Sequence, residues 1–381
     1  MIEHHNGNGH HNAIHQRIVV KVGTSTLTGG KKNLSAPQIL DLVRQLAQLQ
    51  AGGVQVTLVT SGAIAAGREV LKFPDLPPYI PAKQMLAAVG QPRLMELYTQ
   101  LFRIYDLTVS QVLLTRSDLA DRRRYINARN TIEALLEQGI VPIVNENDAV
   151  ATEEIKVGDN DNLSALVANL IEADLLILLT DQEGLYTSDP RSNPDARLIP
   201  EVNEAEISEE MWQSAGGTST GLGTGGMLTK LRAADLARRS GTAVVIARGS
   251  EPDVVLRLAK KERLGTLFPA LLTAVESRKR YILSGVKTSR ASIKIDAGAA
   301  QAIRQGGSLL PVGVVSVKGN FERGDVVRIT QMDGKAVAVG LATYDAEDVA
   351  RLCRHRSDEI EGLLGYTFGE EVVHRSNLVL L

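Results

Sequence analysis

From Arg17 onward the chain alternates short β-branched and aliphatic runs with stretches of helical periodicity, and most of the runs end in polar residues. Strands are predicted at 18–22, 54–60, 109–114, 140–145, 175–180 and 243–247, with helical segments around 94–105, 122–138, 163–172 and 228–239. Leu40, Val43, Leu46 and Leu49 recur on one helical face. Ser35 is placed as the N-cap of that helix, Pro37 falls in its first turn, and Gly52 and Gly53 stop it before the next strand. This alternation restricts the fold to the α/β class, an open and mostly parallel sheet sandwiched by helices. In such sheets ligands bind beyond the carboxyl ends of the strands, so the polar residues after each run become the candidates for function. Those residues are 21–25, Ser61-Gly62, 145–148 and Thr180-Asp181.

The chain has 381 residues, more than the roughly 250–300 at which one core stops growing, so two domains are expected. Helical periodicity gives way to shorter strands after about residue 271. The runs 326–331 and 335–341 flank Asp333-Gly334 and read as a hairpin with a type I′ turn. The expected organisation is a His-rich tail over 1–15, an α/β domain over 16–270, a linker over 271–285, a small β-rich domain over 286–372 and a C-terminal tail over 373–381. The balance of 42 Lys+Arg against 44 Asp+Glu lacks the bias of a nucleic-acid or membrane-surface protein. From residue 281 to the end there are 12 basic and 12 acidic side chains, where an RNA-binding domain would be more basic. No apolar run reaches the ~18–20 residues of a membrane span, and the opening segment lacks the apolar stretch of a secretory signal. With Cys353 as the one cysteine, no intrachain disulfide can form, and a cytoplasmic location is expected.

Five of the seven histidines fall in the first 15 residues and the others are His355 and His374. Between Gln16 and Arg354 there is therefore no imidazole to act as a base, a triad member or a metal ligand. Lys21 and Gly23 close the first strand, where a glycine turn exposes backbone N–H groups to phosphate oxygens and Lys21 adds a full charge; a solvated turn is the plainer alternative. A second glycine cluster runs from Gly221 through Thr224, Gly225, Gly226, Met227, Leu228 and Thr229 to Lys230 and opens a helix. Its flexible backbone, helix N-terminus and terminal lysine can converge on an anion, whereas a linker would need none of them. It is not a P-loop, and no strand precedes it as a dinucleotide fingerprint requires. Between these loops lie Asn145-Glu146-Asn147-Asp148 and Gly158-Asp159-Asn160-Asp161-Asn162. Asp161 or Asn162 could serve only as a helix N-cap, but two acid-amide clusters can also bind a substrate ammonium or orient lysines. No protein-held metal is predicted; magnesium carried by nucleotide phosphates suits the residues better. Two lysines, two glycine loops and several carboxylates without a histidine base suggest phosphoryl transfer to an acceptor that is already ionised, such as a carboxylate.

At these residues the chain resembles the amino acid kinase family. The motifs are VVKVGTSTLT at 19–28, VTSGAIAAGR at 59–68, NENDAV at 145–150, KVGDNDNLSA at 156–165, LLTDQEGLYTSDPR at 178–191 and GLGTGGMLTK at 221–230, in the family's order. The resemblance implies ATP, with nucleotide-bound Mg2+, phosphorylating the side-chain carboxylate of L-glutamate as the first step of proline biosynthesis. By position it implies that Lys21 and Lys230 neutralise the transferring phosphoryl group and that Asp161 orients both. Ser61, Gly62, Asp148, Asn160 and Asn145 match substrate positions, with Asp148 suited to the ammonium. Lys21, Gly23, Thr180, Asp181, Thr224, Gly225, Gly226, Met227, Leu228, Thr229 and Lys230 match ATP positions, and Asp159 lines the same region. Residues 292–367 resemble a PUA domain, for which balanced charge favours an assembly or regulatory role over RNA. The same resemblance implies a homo-oligomer (tetramer or dimer), inhibition by proline, and hand-over of the acyl phosphate to glutamate 5-semialdehyde dehydrogenase.

Overall fold

The computed structural model describes residues 16–77, 79–151, 160–216, 226–273, 276, 279, 282–283 and 291–381. Two compact units emerge: residues up to Arg116 with Arg129–Leu272, and Ser117–Ala128 with Thr273–Leu381. The short segment Ser117–Ala128, inside the expected 16–270 domain, thus packs with the C-terminal residues.

The first unit is built on seven strands, β1 (Arg17–Val22), β2 (Gln55–Thr60), β3 (Val109–Leu114), β4 (Val141–Glu146), β5 (Leu175–Thr180), β6 (Ala243–Arg248) and β7 (Thr266–Phe268). Their order is β3-β4-β2-β1-β5-β6-β7, parallel except for β7, which runs against β6. Each of the six predicted strands is present to within a residue at either end. Every residue of β4 and β5 is buried, as expected of a parallel sheet covered on both faces. The helices along this part of the chain are α1 (Thr24–Thr28), α2 (Ala36–Ala51), α3 (Ala63–Val70), α4 (Ile80–Arg103), α5 (Arg116–Ala120), α6 (Arg122–Glu137), α7 (Asn160–Leu170), α8 (Glu209–Ala215), α9 (Met227–Arg239) and α10 (Val254–Ala259), of which α5 from Ser117 and α6 up to Ala128 fall in the second unit.

Strand parity decides what each face carries. Ile18, Val20 and Val22 of β1 join a core with Ile39, Val43 and Leu46 of α2 and Leu94, Tyr98 and Phe102 of α4. Val19 and Lys21 project to the other face, where α7 packs on β1 and α9 packs on α7. The chain crosses from β4 to β5 through α7, so the start of α7 stands at the centre of the sheet, where strand order reverses direction.

Helix α4 begins well before the predicted start at residue 94 and continues through Pro92. Proline removes one helical N–H and crowds the preceding turn, but Leu86 and Leu94 on either side are fully buried and hold the helix together. Backbone meets backbone where α3 and α4 cross. A Cβ on Gly90 would sit 1.8 Å from the Ala63 carbonyl oxygen, and one on Gly67 would sit 1.9 Å from that of Leu86. Only glycine allows this approach.

The second unit holds a five-stranded sheet of β8 (Ser292–Ile295), β9 (Val314–Lys318), β10 (Val326–Thr330), β11 (Ala336–Leu341) and β12 (Leu378–Leu380), in the order β12-β11-β10-β8-β9. The β10–β11 hairpin forms, but not through a type I′ turn. Gly334 is left-handed at φ 85° while Asp333 is not, and Gly334 N–H donates to the Gln331 carbonyl. This is a three-residue loop, a type I turn closed by a left-handed glycine, and the register shifts next to it at Ile329/Thr330. Residues 378–380, expected in a tail, form the edge strand on β11.

Candidate active site

At the centre of the first unit, Lys21 from β1 and Lys230 from α9 close on one carboxylate from α7. Lys21 Nζ lies 2.5 Å from Asp161 Oδ1, and Lys230 Nζ lies 3.2 Å from Oδ2. Thr229 Oγ1 donates to Oδ2 at 2.6 Å. Asp161 is 0% exposed and the two lysines 5% each. Burial by itself would push the Asp161 carboxyl up, but Lys21 and Lys230 outweigh it and hold the group well below the usual carboxylate range. For Lys21, burial lowers the ammonium below its ordinary value against the pull of Asp161, and Lys230 adds to the lowering. The helix begins at Asn160, so Asp161 sits in its first turn as an ion-pair partner and not as the N-cap. Two positive charges on one negative leave this group with a net charge of +1.

The acceptor-type residues stand on the β2 and β4 side of Lys21. Ser61 and Gly62 follow β2, and Gly62, left-handed at φ 101°, opens α3 without a side-chain cap. That leaves first-turn N–H groups available to a carboxylate. Asn145, 1% exposed at the end of β4, accepts at Oδ1 from the Asn160 side-chain amide (3.0 Å) and from Glu146 N–H (2.9 Å). The Asn160 amide nitrogen also reaches the Thr60 carbonyl at 2.8 Å and Ser61 Oγ at 2.9 Å. Asp148 is half-buried after β4, and burial pushes its carboxyl up to about 6.

The other expected residues stand on the β5 and β6 side. Thr180 ends β5 buried and donates to Asp181 Oδ1 at 3.0 Å, while Asp181 is exposed. Gly23 opens α1, and a Cβ there would meet Lys21 Nζ at 3.6 Å. Helix α9 starts at Gly226 with no side-chain cap, and Met227, Leu228, Thr229 and Lys230 form its first turn. Its far end is bolted by Arg238, fully buried, which donates to the carbonyls of Glu204 (2.8 Å) and Ala205 (3.2 Å). Asp159, Thr224 and Gly225 lie outside the described residues, as do Gly221 and Gly223.

A model of the amino acid kinase family matches residues 16–248, more than half of the chain. The chain belongs to the amino acid kinase family. Residues 291–364 match the PUA domain. Among curated relatives, it is 54% identical over 368 residues to the glutamate 5-kinase of Shewanella amazonensis, covering 96% of each chain. It is 56% identical to that of Photobacterium profundum, again over 96% of each chain. The glutamate 5-kinase of Deinococcus radiodurans is 52% identical, over 96% of this chain and the whole of the relative.

Within this amino acid kinase unit the structure adds residues that no motif announced. Gln91 of α4 accepts from Asn145 Nδ2 at 2.8 Å, which places a mid-helix glutamine behind the acceptor side. Gly249, just after β6, donates its N–H to the Thr180 carbonyl, and a Cβ there would come within 2.7 Å of Thr26 Cγ2. The glycine itself was the only sequence signal at that position. Gln91 carried none, because its partner lies 54 residues away.

Proposed function

We propose that this protein transfers the γ-phosphoryl group of ATP to the side-chain carboxylate of L-glutamate, giving L-glutamyl 5-phosphate and ADP at the start of proline biosynthesis. The observation that carries this reading is the Lys21–Asp161–Lys230 group, set between acceptor-type residues on β2 and β4 and the residues of β5, β6 and α9. A carboxylate oxygen attacks the γ-phosphorus, the bond to the β–γ bridging oxygen breaks, and ADP leaves with the bonding pair. No proton has to move, in keeping with the absence of histidine from Gln16 to Arg354. Lys21 and Lys230 neutralise the charge that spreads over the phosphoryl oxygens, and Asp161 keeps both ammonium groups aimed at one point. The α3 start at Ser61-Gly62 receives the α-carboxylate, and Asp148 with Asn160 receives the ammonium. The nucleotide lies over Thr180, Asp181 and the start of α9. Magnesium carried on the nucleotide phosphates would share in neutralising their charge.

Among the described residues no helix is long and apolar enough to cross a membrane. A cytoplasmic homo-oligomer inhibited by proline, passing its labile product to glutamate 5-semialdehyde dehydrogenase, completes this reading. The assay is ADP formation from MgATP with L-glutamate, N-acetylglutamate or aspartate, with hydroxylamine present to trap an acyl phosphate. Hydroxamate with glutamate alone is expected. Hydroxamate with N-acetylglutamate instead would reassign the acceptor, and none with any acceptor would overturn carboxylate phosphorylation.

The pH profile offers a second check. Asp148 titrates near 6 in the free protein, and below that value it is neutral and cannot pair with an ammonium. Raising the pH ionises it, so kcat/KM for glutamate should climb about tenfold per pH unit below the titration point and level off above it. Asp148→Asn should lower kcat/KM and abolish this limb. A wild-type profile flat from pH 5 to 7 would separate Asp148 from the ammonium.

A further inference from the structure

Four side-chain amides run in a line from the sheet edge to the acceptor side. Gln91 Nε2 donates to Gln111 Oε1 of β3 (3.3 Å), Asn145 Nδ2 donates to Gln91 Oε1 (2.8 Å), and Asn160 Nδ2 donates to Asn145 Oδ1 (3.0 Å). Backbone groups fix which end of two of them is which. The Glu146 N–H points at Asn145, so the atom it meets is the carbonyl oxygen; the Thr60 carbonyl accepts from Asn160, so the atom it meets is the nitrogen. Asn160 Oδ1 is then left as a buried acceptor with no partner among the described residues. Buried acceptors are paired as a rule, and an unpaired one at a ligand site points to a group that arrives with the ligand.

A threat to that acceptor is Asn145. Its Nδ2 is a donor on a residue 1% exposed, held to Asn160 through their shared hydrogen bond. Left without Gln91, this donor would need another acceptor, and Asn160 Oδ1 is an open one on the amide already bonded to Asn145. Pairing the two would consume the acceptor. We propose that Gln91 is a positioning residue for the acceptor site: by occupying the Asn145 donor it keeps Asn160 Oδ1 open for the ammonium group of an amino-acid substrate. This rests on the reading of glutamate as acceptor. Gln91 is held in place from two sides. Gly90 presses α4 against the Ala63 carbonyl one residue earlier, and Gln111 holds the far end of the Gln91 amide.

The experiment measures KM for glutamate, KM for ATP and the inhibition constant of glutarate, which has both carboxylates and no amino group, in the full-length enzyme. Gln91→Leu removes the acceptor while keeping an apolar side chain of similar size. It should raise KM for glutamate about tenfold, the effect of one buried hydrogen bond, and leave the ATP and glutarate constants within about twofold. Gln91→Glu still accepts from Asn145 and should keep KM for glutamate within about threefold of wild type. Where Gln91→Leu does not fold, Gln111→Ala at its exposed position loosens the same amide and should raise KM for glutamate about threefold, again without touching glutarate. An unchanged KM in the variant used, a parallel loss of glutarate binding, or a Gln91→Glu enzyme as impaired as Gln91→Leu would overturn the proposal. A wild-type enzyme inactive on glutamate is a different failure, that of the acceptor assignment itself.

Discussion

Lys230→Met is expected to cut turnover about 10²–10³-fold while changing KM for ATP and glutamate far less. Methionine keeps the buried stem and removes only the charge. In the resting protein that charge is half-used, because Asp161 is shared between Lys230 at 3.2 Å and Lys21 at 2.5 Å. The group carries a surplus positive charge, and its full value is realised only when phosphoryl oxygens gather more negative charge in the transition state. An interaction that strengthens there shows in kcat and not in binding. Folding should survive the change, since Asp161 keeps Lys21 and the Thr229 hydroxyl as partners. Turnover within tenfold of wild type would remove Lys230 from the chemistry, and a matching rise in KM for ATP would recast it as a simple binding group.

Much of this architecture could be read from the chain because it depends on local patterns. Six strands followed from aliphatic runs, and their polar ends marked Lys21, Ser61, 145–148 and Thr180. What patterns do not carry is the meeting of distant residues. That Lys21 and Lys230 share one carboxylate depends on α7 crossing the sheet centre, a topological fact invisible in periodicity; only the resemblance to known kinases put the three residues together in the sequence reading. Gln91 escaped notice for the same reason, since a glutamine before a proline has no signature until its helix is laid across another. The helical periodicity is legible only from about residue 94, whereas α4 starts at Ile80 and runs through Pro92, where the burial of Leu86 and Leu94 outweighs the proline's local cost. The hairpin turn erred in the opposite direction. Asp-Gly is the preferred sequence for a type I′ turn, but the extra residue in the loop shifted Asp333 out of the left-handed region.

Asp161→Asn should be the most destabilising single change in this site, by about 3–5 kcal/mol at neutral pH. It has the shape of a harmless substitution, and its cost comes from what it leaves behind: two ammonium groups, each 5% exposed, with no counter-charge between them. The wild-type carboxyl is held well below its ordinary value. Its contribution is therefore complete above the unfolded value of about 4 and is lost as pH falls from there toward the depressed folded value. In the variant the titrating partner becomes Lys21, already lowered by burial and now without Asp161 to resist the lowering. A lysine whose folded value is depressed releases its proton before the unfolded chain does, so stability rises with pH up to about 10.4, where the unfolded lysine also titrates. The gap in Tm between wild type and variant should thus narrow from pH 7 to pH 9. MgATP should close it further, because phosphates return negative charge to the two ammonium groups, and the ligand-induced rise in Tm should be larger for the variant than for wild type. A variant as stable as wild type at pH 7 would mean that the lysines are neutral or differently paired in the folded protein. The surplus positive charge on which the Lys230 prediction also depends would then be absent.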